Sequence, residues 1–78
     1  MSYKSFPKPV RLLVRNAGSA IITNAWEAVE SLSTWPERGS REYRIALQHC
    51  RDALDGLRPE GHAYRSFTAA ASKAGILV

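Results

Sequence analysis

The fold is decided by VRLLVRNAGSAIITN, residues 10–24, where the period of the chain changes. Val10 to Arg15 is a short run rich in strand-favouring residues, with basic side chains at Arg11 and Arg15. Asn16, Ala17, Gly18 and Ser19 make a turn signal, because Asn and Gly tolerate positive φ. Ala20 to Thr23 is a second apolar run. Two such runs around a four-residue turn predict a β-hairpin. At Asn24 the period shifts from two to 3.6: Asn24 is a good N-cap, and Glu27 can reach back in the manner of a capping box.

Outward from this stretch, residues 1–9 read as a short leader, since Pro7 and Pro9 forbid helix there. Ala25, Ala28, Val29 and Leu32 share one side of a first helix, which Trp35 and Pro36 close. Ser40 caps a second helix whose apolar stripe is Tyr43, Ala46, Leu47, Cys50, Ala53, Leu54 and Leu57. Gly56 marks its C-terminal end. Pro59 fits the first position of a third helix, with Ala63, Phe67, Ala70, Ala71 and Ala74 inward and Gly75 as the stop. Phe67 is then the one large knob on a face of small residues. The apolar tail Ile76, Leu77, Val78 packs as a cap contact or adds a third strand. An isolated hairpin is marginal, which favours the strand. The expected fold is α+β: an N-terminal hairpin against three short helices, in one domain over residues 10–78.

Composition narrows the function classes. A chain of 78 residues holds one small domain and leaves no room for a cofactor-binding domain beside it. Its 45% hydrophobic and 23% charged content is that of a globular protein. A net charge of +4 favours acidic partners without the dense clustering of a nucleic-acid arm. One cysteine excludes an internal disulfide and a Cys-pair metal site. With no apolar signal region and no membrane-length apolar run, the expected location is the cytoplasm.

The ordered set Ala28, Leu32, Trp35, Pro36, Tyr43, Ala46, Cys50, Ala53, Leu54 and Gly56 resembles a bacterial domain-of-unknown-function family, numbered nine hundred and eighty-two and common in rhizobia. The close Phe67, Ala70, Ala71, Ala74, Gly75, Ile76 is similar to that family's usual ending. The resemblance implies a small cytoplasmic protein of unassigned function and carries over no catalytic residue. Tyr64 departs from the family's usual alanine, and Trp26 is particular to this chain.

The chemistry-bearing residues are few. Cys50 lies mid-stripe and reads as a core residue. His49 and His62 share no ligand spacing with each other or with Cys50. Ser40, Ser66, Ser72 and Thr68 fall at caps or solvent-facing positions without a nucleophile elbow. No phosphate loop is present, so no catalytic, metal or cofactor site is expected, and the chain reads as non-enzymatic. Arg41, Arg44 and Arg51 lie along one flank of the second helix, a surface suited to phosphates or an acidic partner. Pairs four apart (Glu37 with Arg41, Arg38 with Glu42, Arg51 with Asp55) offer local neutralisation instead. Trp26 falls about 100° off the centre of its helix's apolar side. It folds over the hairpin, which is favoured, or is exposed as an interface anchor. The expected function is a protein-binding or regulatory module, with a homodimer among its forms. The alternative is nucleic-acid binding through the arginine flank. The expected working surface is the sheet edge near Trp26.

Overall fold

A computed structural model describes residues 5–14, 18–35 and 39–78. Strands β1 (Ser5–Val14) and β2 (Gly18–Asn24) are followed by helices α1 (Ala25–Leu32), α2 (Arg41–Leu54) and α3 (Glu60–Lys73). The strands form an antiparallel hairpin with Val10 opposite Ile22, Arg11 opposite Ile21, Leu12 opposite Ala20 and Leu13 opposite Ser19. The expected turn residues Asn16 and Ala17 lie outside the described residues, as do Arg15 and Pro36. The α+β class is as expected.

β1 begins five residues before Val10, inside the segment read as leader. The regular ladder nevertheless starts at Val10, because the register is irregular between Ser5 and Val10. Pro7 and Pro9 occupy that irregular stretch and bring no N–H to a ladder. What the stretch contributes is Phe6, buried at the core's edge. Its ring meets Tyr64 edge-on at 5.6 Å and lies 6.0 Å from Phe67.

Val10, Leu12 and Ile22 line the buried face of the hairpin, while Arg11, Leu13 and Ile21 line the exposed face. α3 packs against β1, α1 against β2, and α2 against both α1 and α3. The core between them is built from Ala25, Ala28, Leu32, Trp35, Tyr43, Ala46, Cys50, Ala53, Ala63, Phe67, Ala70 and Ala71. Small residues on α2 and α3 let those helices approach closely, while Phe67 packs against Phe6 and Trp35.

Local chemistry fixes the helix ends. The Glu27 N–H donates to Asn24 Oδ1 at 2.8 Å, the expected N-cap. The return contact of the capping box goes elsewhere: Glu27 Oε1 accepts from the Thr23 N–H at 2.7 Å and the Thr23 hydroxyl at 2.9 Å. Ser40 caps α2 by accepting from the Tyr43 N–H at 3.0 Å. Pro59 is the N-cap of α3 rather than its first residue, with an extended ψ of 144°.

Both α2 and α3 end in Schellman motifs. Gly56 and Gly75 take φ of +76° and +75°, a region only glycine enters without strain. The N–H of Leu57 reaches Asp52 C=O, and that of Ile76 reaches Ala71 C=O. Past this reversal Leu57 is carried into solvent, 76% exposed, so it is not part of the inner stripe. Ile76 instead packs against the core.

The tail then runs antiparallel to β1. Leu12 pairs with Leu77, the Leu13 N–H donates to Ile76 C=O at 2.8 Å, and the Val78 N–H donates to Arg11 C=O at 3.1 Å. It is a single bridge rather than a full strand, but it occupies the outer edge of β1.

Two side chains bind the end of α1 to the other helices. Tyr43 donates its hydroxyl to Leu32 C=O at 2.7 Å, and Trp35 donates its Nε1–H to Ser31 Oγ at 3.0 Å. The Trp35 ring lies 5.9 Å from Tyr43 and 5.6 Å from Phe67, filling the space between the helices.

Candidate functional site

β2 is continuous with α1: Asn24 ends the strand and caps the helix. With no loop to adjust the angle, α1 turns Ala25, Ala28 and Leu32 to the core. Trp26, one step of about 100° further, is thrown outward. It is 50% exposed, so the favoured expectation that it folds over the hairpin is corrected. Ile21 and Leu13, on the exposed sheet face, are similarly open at 53% and 54%.

The outer edge of β2 is set by the backbone groups of its alternate residues. Leu13 N–H and Arg11 C=O face the tail, so Val10, Leu12 and Val14 face β2. Their partners Ile22, Ala20 and Gly18 turn N–H and C=O inward to β1. Ser19, Ile21 and Thr23 therefore turn theirs to the outer edge. Glu27 closes Thr23 by accepting its N–H. Ser19 and Ile21 keep both backbone groups without a partner among the described residues. The edge adjoins an open depression of about 340 Å³ lined by Ala20, Ile21, Ile22, Glu27, Glu30 and Ser31, among others. The strand GSAIITN carries no charge and no proline. It thus lacks the usual devices that keep an edge strand from pairing.

Arg41, Arg44 and Arg51 are exposed along one side of α2, with Gln48 in the same row. Neither Arg51 and Asp55 nor any of these three arginines forms an ion pair among the described residues. Glu37 and Arg38 lie outside them. The ion pair that is present joins Arg58 Nε to Asp52 Oδ2 at 3.5 Å, and Gln48 Nε2 donates to Asp52 Oδ1 at 2.8 Å.

Between α2 and α3, His49 Nδ1 and Ser66 Oγ share a hydrogen bond. Ser66 is half-buried, which corrects its reading as cap or solvent-facing. Burial first, then the Arg58 guanidinium and His62, push the His49 pKa below its ordinary 6.5, against an opposite pull from Asp52. A neutral imidazole against a serine hydroxyl has the composition of a nucleophile and its base. Neither residue, however, lines the depression at the β2 edge or a second open one lined by Pro9, Val10, Tyr64 and Leu77, among others. The contact ties α2 to α3. Cys50 is fully buried, and burial pushes its thiol up to about 12, so it is a core residue as expected. Among the described residues no group of three or more His, Cys, Asp or Glu could hold a metal ion. No helix among them is long and apolar enough to cross a membrane.

A hairpin closed on one edge by a C-terminal segment and layered on three helices defines the class of this small α+β protein. The chain belongs to the bacterial family described as Protein of unknown function (DUF982), which it matches over residues 8–78. It is similar to the NMR structure of the Agrobacterium tumefaciens protein Atu1219, with 32% identity and a TM-score of 0.78. That likeness covers 99% of this chain and 78% of the other. Comparison with curated proteins yields no match.

The sequence put the arginine flank on the surface, offered an exposed Trp26 only as the alternative, and missed the edge groups of Ser19 and Ile21. A signal for them existed: in a two-stranded sheet whose tail covers one edge, the other strand must stay open. The tie between His49 and Ser66, seventeen positions apart, had no local signal.

Proposed function

We propose that the chain is a non-catalytic, cytoplasmic protein-binding module whose working surface is the open edge of β2 together with the exposed Trp26. The observation that carries this reading is the pair of residues Ser19 and Ile21, whose backbone groups face outward without partners among the described residues. Partners that add an extended strand gain main-chain hydrogen bonds there. Half-exposed Ile21 on that strand and half-exposed Trp26 at the start of α1 supply apolar anchors. A second copy of the chain is among the partners this surface fits.

The test is affinity capture from the native cell with three baits. Ser19→Pro removes the outward N–H, and a triple Arg41→Gln, Arg44→Gln, Arg51→Gln variant removes the flank charge. A protein retained by wild type and the triple variant but lost with Ser19→Pro supports the edge. Capture that ignores Ser19→Pro overturns it.

A second reading keeps the arginine flank as a nucleic-acid surface. It draws support from three exposed arginines without ion-pair partners among the described residues. Capture of DNA or RNA at low salt, lost in the triple variant, would favour that reading.

A further inference from the structure

We propose that the open edge of β2 pairs with the same edge of a second copy, giving a continuous four-stranded sheet with its two-fold axis at Ala20. This rests on the reading of that edge as the binding surface and adds the partner and the register.

The register follows from which groups are free. Ser19 and Ile21 each present one N–H and one C=O outward, while Ala20 between them turns its groups to β1. Rotated by two-fold symmetry about Ala20, Ser19 meets Ile21 of the second copy and Ile21 meets its Ser19. Each pair exchanges two hydrogen bonds, so four bonds satisfy every outward group of those residues. A register shifted by one step toward the helix would set Ser19 against Thr23. There the Glu27 carboxylate already holds the N–H at 2.7 Å and stands in the edge. Glu27 therefore ends the pairing segment and fixes its register.

The same edge is compatible with a second copy as the partner. A set of groups that is complementary to itself under two-fold rotation is what an isologous interface requires. β2 has no charged side chain to set against Glu27 and Glu30, whose carboxylates flank the edge and disfavour an acidic segment. The tail covers the opposite edge of the sheet, so pairing closes after two copies instead of propagating.

The experiment is site-specific cross-linking of the full chain, read alongside sedimentation. Ala20 and its symmetry mate form a non-hydrogen-bonded pair, with Cα atoms about 4.5 Å apart. That falls within the span of about 4.4–6.8 Å that a disulfide bridges. Ser19 and its mate are offset along the strands and lie about 8 Å apart, beyond reach. Ala20→Cys should oxidise to a covalent dimer much faster than Ser19→Cys at equal concentration, and Cys50, fully buried, stays out of the reaction. Wild type should sediment as a dimer at high concentration. Ser19→Pro, which deletes two of the four bonds and leaves the β1 ladder intact, should weaken association roughly tenfold or more.

Ala20→Cys cross-linking no faster than Ser19→Cys overturns the register, and a wild type that is monomeric at every concentration overturns the inference itself. Should Ala20→Cys fail to fold, the wild-type and Ser19→Pro sedimentation pair decides alone. A monomer whose cellular partner is lost with Ser19→Pro sinks self-pairing only. A monomer whose partner ignores Ser19→Pro sinks the reading of the edge as well.

Discussion

Replacing Phe67 by alanine removes the largest fully buried side chain in the core. Its ring lies 5.6 Å from Trp35 and 6.0 Å from Phe6, so one truncation unpairs two aromatic contacts. Around it on α3 stand Ala63, Ala70 and Ala71, and across on α2 Ala46 and Ala53, all buried and all too short to fill the void. A site that cannot collapse sits at the upper end of the usual range, so the cost is about 4–5 kcal/mol. The whole domain, at 78 residues, has about 4–12 kcal/mol of stability. Phe67→Ala should therefore leave the protein at the edge of unfolding, while Phe67→Leu, which keeps most of the volume, should stay folded. Urea titration followed by tryptophan fluorescence, to which buried Trp35 contributes, would show the difference. A loss below about 1.5 kcal/mol for Phe67→Ala, the range of volume-conserving swaps, would refute the description of the core.

Three further outcomes follow from single contacts. Val78→Pro deletes the donor to Arg11 C=O and should cost about 1 kcal/mol; hydrogen exchange at Leu13, whose N–H bonds Ile76 C=O, should quicken with it. Unchanged exchange would show that the tail does not cover β1. The folded His49 pKa is lowered from 6.5, so its neutral form belongs to the fold and the unfolded chain takes the proton first. Its contribution to stability is then full above pH 6.5 and declines as pH falls through its lower folded value. An NMR titration of His49 with a midpoint at or above 6.5 would contradict this. The Cys50 thiol, buried and pushed up to about 12, should resist thiol reagents in the native protein and react fully on unfolding; rapid native labelling would contradict its place in the core.

Much of this fold is legible in the sequence because helical periodicity and caps are local. Asn24, Ser40, Gly56 and Gly75 act where they stand, and the stripe from Tyr43 to Ala53 needs no knowledge of what it meets. Contacts made across the chain were not legible. Phe6, alone between Ser5 and Pro7, has no periodic neighbours to announce it, yet it meets Tyr64 and Phe67. Leu57 continues the spacing of α2 but lies past the Gly56 reversal, so geometry overrides pattern. For Trp26 the sequence favours packing over the hairpin, with exposure as the alternative; the direct passage from β2 into α1 sends it outward. The candidate surface was half visible: Trp26 could be named from its angle, whereas the free groups of Ser19 and Ile21 depend on the tail taking the other edge.

The central claim is that Ser19 and Ile21 turn unpaired backbone groups to an edge built for another strand. Amide hydrogen exchange measured at low and high protein concentration tests it most directly. The account predicts slow exchange at Ala20 and Ile22 throughout, since β1 holds them. Ser19 and Ile21 should exchange fast in dilute solution and become protected as concentration rises. Ser19 and Ile21 as protected as Ala20 and Ile22 in dilute solution would contradict it, whereas fast exchange at every concentration would contradict self-pairing alone.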